Sequence, residues 1–489
     1  MRIKWHWVAG MAVITIFLAL LAFRLELFNR TSIDQSHAVG VRNAPIAEAH
    51  ETWMAIAQQG RKIGYSHRTL TPTDAGYDFA EDVFMRINTM GVVQGVTLST
   101  RGTLHRDFSL ETFHVRLTSN MFRFIARGTR VGKNLTLYVG QGAEEKKYNL
   151  TLQGIPYLSG NIADAAMTAA SGGENARTLN VFDPASLGAR PAKVSRQGEE
   201  VLSIEGRAQK LTKWSVDFMG ARQYAWVDEQ GQVVREEGLL GLSLERTTRE
   251  SALAGLSGAS ADMTQAASVG SPVTIQEPEA LQTLSVRLGG IDAGRFYLNG
   301  GRQSYRDGVL IIHRESPAGK GAVSEMPDSG TREKFLQSTP FVQADHPKIR
   351  AALAPIVGPH ESPFVKARKI IHFVYGYLDK QPVLSVSNAV ETLARRKGDC
   401  TEHAVLVAAL GRAAGIPTTI ETGLVYQRNR FYYHAWNVFW IDEWQQWVTG
   451  DAVFDQMPAD VTHLRFVRGE AQDQLDMIGL LGRLTLTAP

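Results

Sequence analysis

The chain has 489 residues, a formal net charge of +3, and the hydrophobic (44%) and charged (21%) fractions of a soluble globular protein. That length exceeds one ordinary domain, so two or three are expected. The near-balanced charge argues against nucleic acid as a partner, and a single cysteine excludes a disulfide framework and a cysteine-based zinc site. No metal and no cofactor is expected.

The first six residues, Met1-Arg2-Ile3-Lys4-Trp5-His6, place basic side chains ahead of an uncharged run, 7–23, that ends at Arg24. A run of this length is about the shortest that spans a bilayer core. The order of charges predicts a cytoplasmic N-terminus and a single-pass anchor over 1–24, with the rest of the chain periplasmic or extracellular. A cleaved secretory signal is the alternative, although Ala22-Phe23-Arg24 is a poor cleavage site; a buried core helix is a third reading.

Residues 25–45 form a polar tether. From 46 to 250 apolar residues recur with period two: Phe108, Leu110 and Thr112, then Phe122, Phe124 and Ala126, then Leu135, Leu137 and Val139. Turn signals separate the runs, at Asp74-Ala75-Gly76, Gly132-Lys133-Asn134 and Asp228-Glu229-Gln230-Gly231. The pattern predicts an antiparallel sheet covering a core or a ligand, with a helical interruption near 162–170. Residues 251–271 are rich in Ala, Ser and Gly and read as a linker, or alternatively a short helix. A small β-rich segment spans 272–335, with Leu284, Val286 and Leu288 alternating.

The pattern turns helical in the last segment, 336–489. Ser362-Pro363 reads as an N-cap with Pro in the first turn, and Ala367, Ile370, Ile371 and Val374 recur near the helical period. His372 on this helix reads as a solvated or packed histidine. The fold class expected for the whole chain is α+β.

The cysteine stands in Gly398-Asp399-Cys400-Thr401-Glu402-His403-Ala404. Asp399 as N-cap and Glu402 three residues on make an aspartate version of the capping box, so Cys400 opens a helix that Gly415 and Pro417 end. The positive end of the helix dipole is expected to lower the thiol pKa; equally, Cys400 could be a small residue filling a small space. A nucleophile needs a base. Residues 431–440 and 444–453 read as two strands of a hairpin. With Asp442-Glu443 as a two-residue loop, His434 falls directly opposite Asp451, where the carboxylate could orient the imidazole. Glu402 and His403 do not suggest a metal site, since no third ligand has suitable spacing, and His403 reads as helix surface or as support behind the thiol. Trp436, Trp440, Trp444 and Trp447 suit a core better than a groove.

This ordering resembles the transglutaminase-like superfamily, whose fold is the papain-like cysteine-enzyme core. The residues that carry the resemblance are Gly398-Asp399-Cys400 with Ala404, Arg412 to Pro417, Gly423-Leu424-Val425-Tyr426, His434-Ala435-Trp436, Trp447 to Asp451, the run Asp451 to Gln456 and Asp460-Val461-Thr462-His463-Leu464, over roughly 340–468. It implies Cys400 as nucleophile, His434 as general base and acid, and Asp451 as orienter, with the Cys400 backbone N–H contributing to an oxyanion site. Asp451-Ala452-Val453 departs from members that continue with Pro and Thr. The hairpins after Gly60-Arg61-Lys62-Ile63-Gly64-Tyr65 are weakly similar to curved half-barrels of bacterial envelope proteins, which would imply a concavity for an apolar ligand or a peptide; a packed spacer sheet remains open. The expected function is a membrane-anchored, extracytoplasmic thiol acyl-transfer enzyme, with a protein or peptide substrate in the envelope and the inner membrane as its anchor. A catalytically silent scaffold is the alternative.

Overall fold

The computed structural model describes residues 48–89, 92–119, 123–140, 145–158, 175–184, 188–218, 221–256, 258, 260–262, 267–317, 329–381 and 388–489. The expected anchor (1–24), tether (25–45) and helical interruption (162–170) lie outside them. No described helix is long and apolar enough to cross a membrane. The chain divides into two compact units, which meet in sequence at 263/264.

The N-terminal unit is one 15-stranded sheet. Its strands are β1 (His50–Gln58), β2 (Arg61–Pro72), β3 (Gly76–Thr89), β4 (Val92–His105), β5 (Leu110–Ser119), β6 (Arg123–Val131), β7 (Asn134–Val139), β8 (Lys146–Thr151), β9 (Pro156–Leu158), β10 (Ala176–Asp183), β11 (Gly188–Ile204), β12 (Arg207–Phe218), β13 (Ala221–Val227), β14 (Val233–Glu237) and β15 (Leu242–Thr247). The spatial order is β8-β7-β6-β5-β4-β3-β2-β1-β15-β14-β13-β12-β11-β10-β9, so first and last strands lie side by side and two antiparallel runs extend outward from them, the second ending in a parallel β10–β9 pair. Period-two alternation explains the register: in β6, Phe124 and Ala126 are buried while Arg123 and Arg127 are exposed. Tight turns at Gln59-Gly60 (φ 50 and 77) and Glu205-Gly206 (φ 48 and 77) use the paired left-handed conformations that two-residue hairpins require. Phe113 of β5 meets Phe182 of β10 at 5.5 Å between ring centroids, although the two strands are far apart in the sheet order. The sheet therefore curls over on itself and closes an aromatic interior. A five-residue helix, Arg249–Leu253, follows β15 with Thr248 as its N-cap, at the start of the expected linker.

Among the described residues the C-terminal unit holds three sheets. β16 (Val269–Gly270), β22 (Thr418–Gln427), β23 (Arg430–Ile441), β24 (Gln446–Gly450) and β25 (His463–Arg468) form one; β17 (Thr283–Gly289), β18 (Gln303–Arg306), β19 (Val309–His313) and β26 (Thr485–Thr487) form the second; β20 (Asp379–Lys380) and β21 (Lys397–Gly398) form a parallel pair. β17 pairs with β26 at the end of the chain, so the small β-rich segment is built into this unit. The helix Pro363–Tyr377 starts after Ser362 and buries Ala367, Ile370, Ile371 and Val374.

The helix Cys400–Ala413 packs on β22 and β23 and has almost no exposed residue. An Ala- and Leu-rich helix that is apolar nearly all round belongs in the interior. Beneath it, β22 lies so close to β25 that a Cβ on Gly423 would come within 1.8 Å of the Leu464 carbonyl oxygen. Gly423→Ala is therefore expected to destabilise the unit by about 2–3 kcal/mol, read as a lower urea midpoint for the full chain.

Candidate active site

Three elements converge on the thiol. The parallel β20–β21 pair delivers the chain to Asp399, which caps the Cys400–Ala413 helix. The Thr401 N–H donates to Asp399 Oδ1 (2.8 Å) and the Asp399 N–H to Glu402 Oε2 (2.9 Å), completing the capping box. This occupies Glu402 and puts Cys400 at the first helical position. Cys400 is completely buried, and the Ala435 backbone N–H is directed at its sulfur. That N–H follows immediately after His434.

The β23–β24 hairpin carries the next two residues, with a register that differs from the expected one. Ile441 pairs with Gln446 and Asn437 with Gly450, so the loop holds four residues, with Gln445 in the left-handed region (φ 50). The register is displaced by two, not one. An even displacement keeps every side chain on its face, and the His434 and Asp451 side chains still reach one another across the diagonal. His434 donates from Nε2 to Asp451 Oδ2 at 2.6 Å. Its Nδ1 is buried and has no hydrogen-bond partner among the described residues.

Asp451 is fully engaged. Its Oδ1 accepts the Val453 N–H at 2.6 Å, and its Oδ2 also accepts from His463 Nε2 at 3.0 Å. His463 Nδ1 donates in turn to the Asp460 carbonyl (3.1 Å) and lies 3.3 Å from Asp460 Oδ1. Burial would raise the Asp451 carboxyl, but its pairing with His434 and with His463 outweighs it and holds it well below the usual carboxylate range. Asp460 is held down in the same way by His463. Burial would lower His463, but the two carboxylates raise it to about 9. His463 therefore stabilises the fold fully below its ordinary value of 6.5, and that contribution is lost as pH rises through about 9. Urea unfolding midpoints are expected to fall across this window, and to fall less in His463→Gln.

The thiol itself departs from the helix-dipole expectation. Burial pushes Cys400 well above its ordinary value, and the neighbouring Asp399 and Glu402 carboxylates add to the rise, against the opposing Ala435 N–H. Loss of solvent outweighs a partial charge at a helix end, so Cys400 rests as a neutral thiol. His403, expected on the helix surface or behind the thiol, is buried. Its Nδ1 donates to the Asp399 carbonyl at 2.6 Å, and burial lowers it to about 4, which keeps it neutral.

Trp436, Trp440 and Trp447 are buried, while Trp444 is half-buried and stacks on Phe364 at 4.6 Å. His372 is exposed and bonds Asp455 at 2.9 Å. Sequence reasoning assigned no role to His463, Asp460 or Lys380. Lys380 is half-buried, donates to the Tyr375 carbonyl at 3.0 Å, and is lowered by burial against the pull of Asp451 and Asp455. The signal for His463 was present as the Asp460–His463 spacing of three, but its cross-strand partner could not be read from it.

His434, Asp451 and His463 are also the one cluster among the described residues whose donor atoms lie close enough together, within 4.8 Å, to hold a cation. Both ring nitrogens donate to one carboxylate oxygen, and His463 is protonated at neutral pH, so a cation would first have to displace these protons. The arrangement is suited to holding and moving a proton.

Residues 350–452 match the family model of the transglutaminase-like superfamily, so this part of the chain is a transglutaminase-like domain. The match includes Cys400, His434 and Asp451 and ends before Asp460 and His463. Among solved structures, a candidate cysteine protease from Cytophaga hutchinsonii is 17% identical with a TM-score of 0.28, covering 43% of this chain and 82% of that one. A beta-barrel-like protein from Brucella abortus is 9% identical with a TM-score of 0.34, covering 42% and 97%. A candidate protease from Parabacteroides distasonis is 11% identical with a TM-score of 0.20, covering 68% and 64%. No curated protein matches the chain.

Proposed function

We propose that the transglutaminase-like domain at 350–452 is a thiol acyl-transfer enzyme acting on peptide or isopeptide amide bonds. The observation that carries this reading is the buried His434 ring, with Nε2 bonded to Asp451 and Nδ1 left without a described partner. A buried polar atom without a partner costs about 1–3 kcal/mol, a cost expected where the atom has work to do. Nδ1 accepts the Cys400 proton as sulfur attacks the amide carbonyl. The tetrahedral oxyanion is met by backbone N–H groups, that of Cys400 among them. His434 then returns the proton to the leaving amine, and a thioester remains on Cys400. Water, deprotonated by His434, attacks the thioester and regenerates the thiol; an amine in place of water would give transamidation. Hydrolysis is the favoured outcome because water is always present.

Because the resting thiol is neutral, proton transfer accompanies attack instead of preceding it. Because Cys400 has no exposed surface, substrate reaches it only through local opening. The test is intact-mass detection of acetyl-Cys400 after exposure of the full chain to p-nitrophenyl acetate, with His434→Ala in parallel. Acetylation that depends on His434 is expected; its absence sinks the reading.

The same burial and raised thiol favour a second reading, a catalytically silent scaffold of the cell envelope. In that case Cys400 resists acetylation while folded and reacts only after denaturation. In either reading the run at 7–23 anchors the chain in the inner membrane with its bulk outside the cytoplasm, and the substrate or partner is an envelope protein or wall peptide. Fractionation of cells expressing the full chain checks this: it stays with membranes after a high-salt wash and is digested by protease added outside the inner membrane.

A further inference from the structure

We propose that His463 is a positioning residue for the Cys400–His434 pair, clamped between two buried carboxylates so that it fixes the Asp451 oxygen used by His434 and offsets that carboxylate's charge. The inference rests on the thiol acyl-transfer reading of the site.

The geometry is a continuous line, Asp460–His463–Asp451–His434: His463 Nδ1 faces both the Asp460 carbonyl (3.1 Å) and its carboxylate Oδ1 (3.3 Å), and Asp451 Oδ2 accepts from both histidine rings. All four side chains are buried. Asp460 is itself tied down, accepting from the Thr462 N–H (2.8 Å), the Thr462 hydroxyl (2.6 Å) and Gln456 Nε2 (3.0 Å). The edge of Trp436 closes on the His463 ring at 5.1 Å. Arg302, which precedes β18, donates to the backbone carbonyls of Ala459 (2.6 Å) and His463 (3.2 Å) and pairs with buried Glu315. The histidine therefore has one place to be, and so does the carboxylate it holds.

Charge gives the line its second role. Asp451 and Asp460 without His463 would be two uncompensated negative charges beside the base. They would draw a proton onto His434 and occupy the lone pair that must accept the thiol proton. With a positive His463 between them the line carries a single net negative charge. The other charged or titratable groups facing it are Lys380 of β20, within electrostatic reach of Asp451, His403 of the central helix, and Arg302. A histidine that only filled space would need neither carboxylate.

The experiment is nitrogen NMR of the full chain labelled with ¹⁵N-histidine, comparing wild type with His463→Gln and assigning His434 by its loss in His434→Ala. His463→Gln keeps one N–H donor but not the charge. The expected result is that the His434 signals at neutral pH move toward those of a protonated ring, the protonated-to-neutral ratio rising about tenfold or more, as a unit charge at this separation requires. Unchanged His434 signals in a folded His463→Gln chain would reduce His463 to a packing role and overturn the proposal. Should that variant not fold, Asp460→Asn gives the same reading from the other side: His463 gives up its extra proton below its wild-type value of about 9, and the His434 signals move as it does so. Alkylation of Cys400 by iodoacetamide, run on wild type and His434→Ala, separates the two claims. Unmoved His434 signals with His434-dependent alkylation sink the positioning role alone. Shifted signals with alkylation indifferent to His434 support the coupling and sink the acyl-transfer reading.

Discussion

His434→Ala is expected to lower turnover of an ester or peptide probe by about 10⁴-fold or more, with little change in fold. The reason lies in the state of the thiol. Burial and two adjacent carboxylates keep Cys400 protonated, so the helix N-terminus does not supply a thiolate unaided. In the proposed mechanism the His434 imidazole takes the proton during attack. His403 Nε2 is likewise buried without a hydrogen-bond partner among the described residues, but burial lowers that ring to about 4, which makes it the poorer base, and Lys380 donates to the Tyr375 carbonyl. Cys400→Ala removes the nucleophile itself. The two losses act on one step, so the double variant is expected to be no slower than the worse single one. Steady-state hydrolysis of p-nitrophenyl acetate by the four forms checks this; losses that multiply would show that Cys400 and His434 act independently.

The second large effect falls on stability. Glu421→Ala is expected to cost about 3–5 kcal/mol. Glu421 is buried in β22, where one oxygen accepts from Arg465 Nη1 (3.1 Å) and from Arg468 Nε (3.0 Å) and Nη2 (2.6 Å), and the other from Trp436 Nε1 (3.0 Å). Burial would raise its carboxyl, but the Arg468 and Arg465 charges lower it to about 2. Truncation would leave buried Arg465 and nearly buried Arg468 without their counter-charge. It would also free Trp436, which packs on both His434 and His463. Glu421 stabilises the fold fully above its ordinary value of 4.5, and the contribution is lost as pH falls through about 2. Urea unfolding of the full chain should show a lower midpoint for the variant with an unchanged slope; an unchanged midpoint would mean that the arginines find solvent or other partners.

Local signals in the sequence proved the most legible. The capping box at Asp399 and Glu402 involves four consecutive residues and forms as read, and the period-two runs of the N-terminal unit fall mostly on strands, although Phe108 sits in the turn before β5 with φ 62 and Phe122 lies outside the described residues. Parity carried the His434–Asp451 juxtaposition through a register that was wrong by two, because the loop after Ile441 takes two more residues than the shortest hairpin and an even change leaves the faces alone. Long-range properties were not legible. The direction of the Cys400 shift depends on how completely the thiol is buried, which no local pattern states. His463 gains its role because β25 lies beside β22, bringing it to a carboxylate twelve residues upstream. The pairing of β17 with β26 joins residues 283–289 to the last strand of the chain, and nothing near Leu284 or Leu486 announces it. The placement of β1 beside β15 is of the same kind.

The central claim is that Cys400 is a working nucleophile served by His434, and the most direct measurement is intact-mass analysis of the full chain after brief exposure to p-nitrophenyl acetate at neutral pH. The account predicts one acetyl group on the folded wild type, located at Cys400, discharged with time by water and absent from Cys400→Ala and His434→Ala. A folded chain that takes up no acetyl group at Cys400, while the denatured chain does, would contradict it and leave a buried thiol in a transglutaminase-like scaffold.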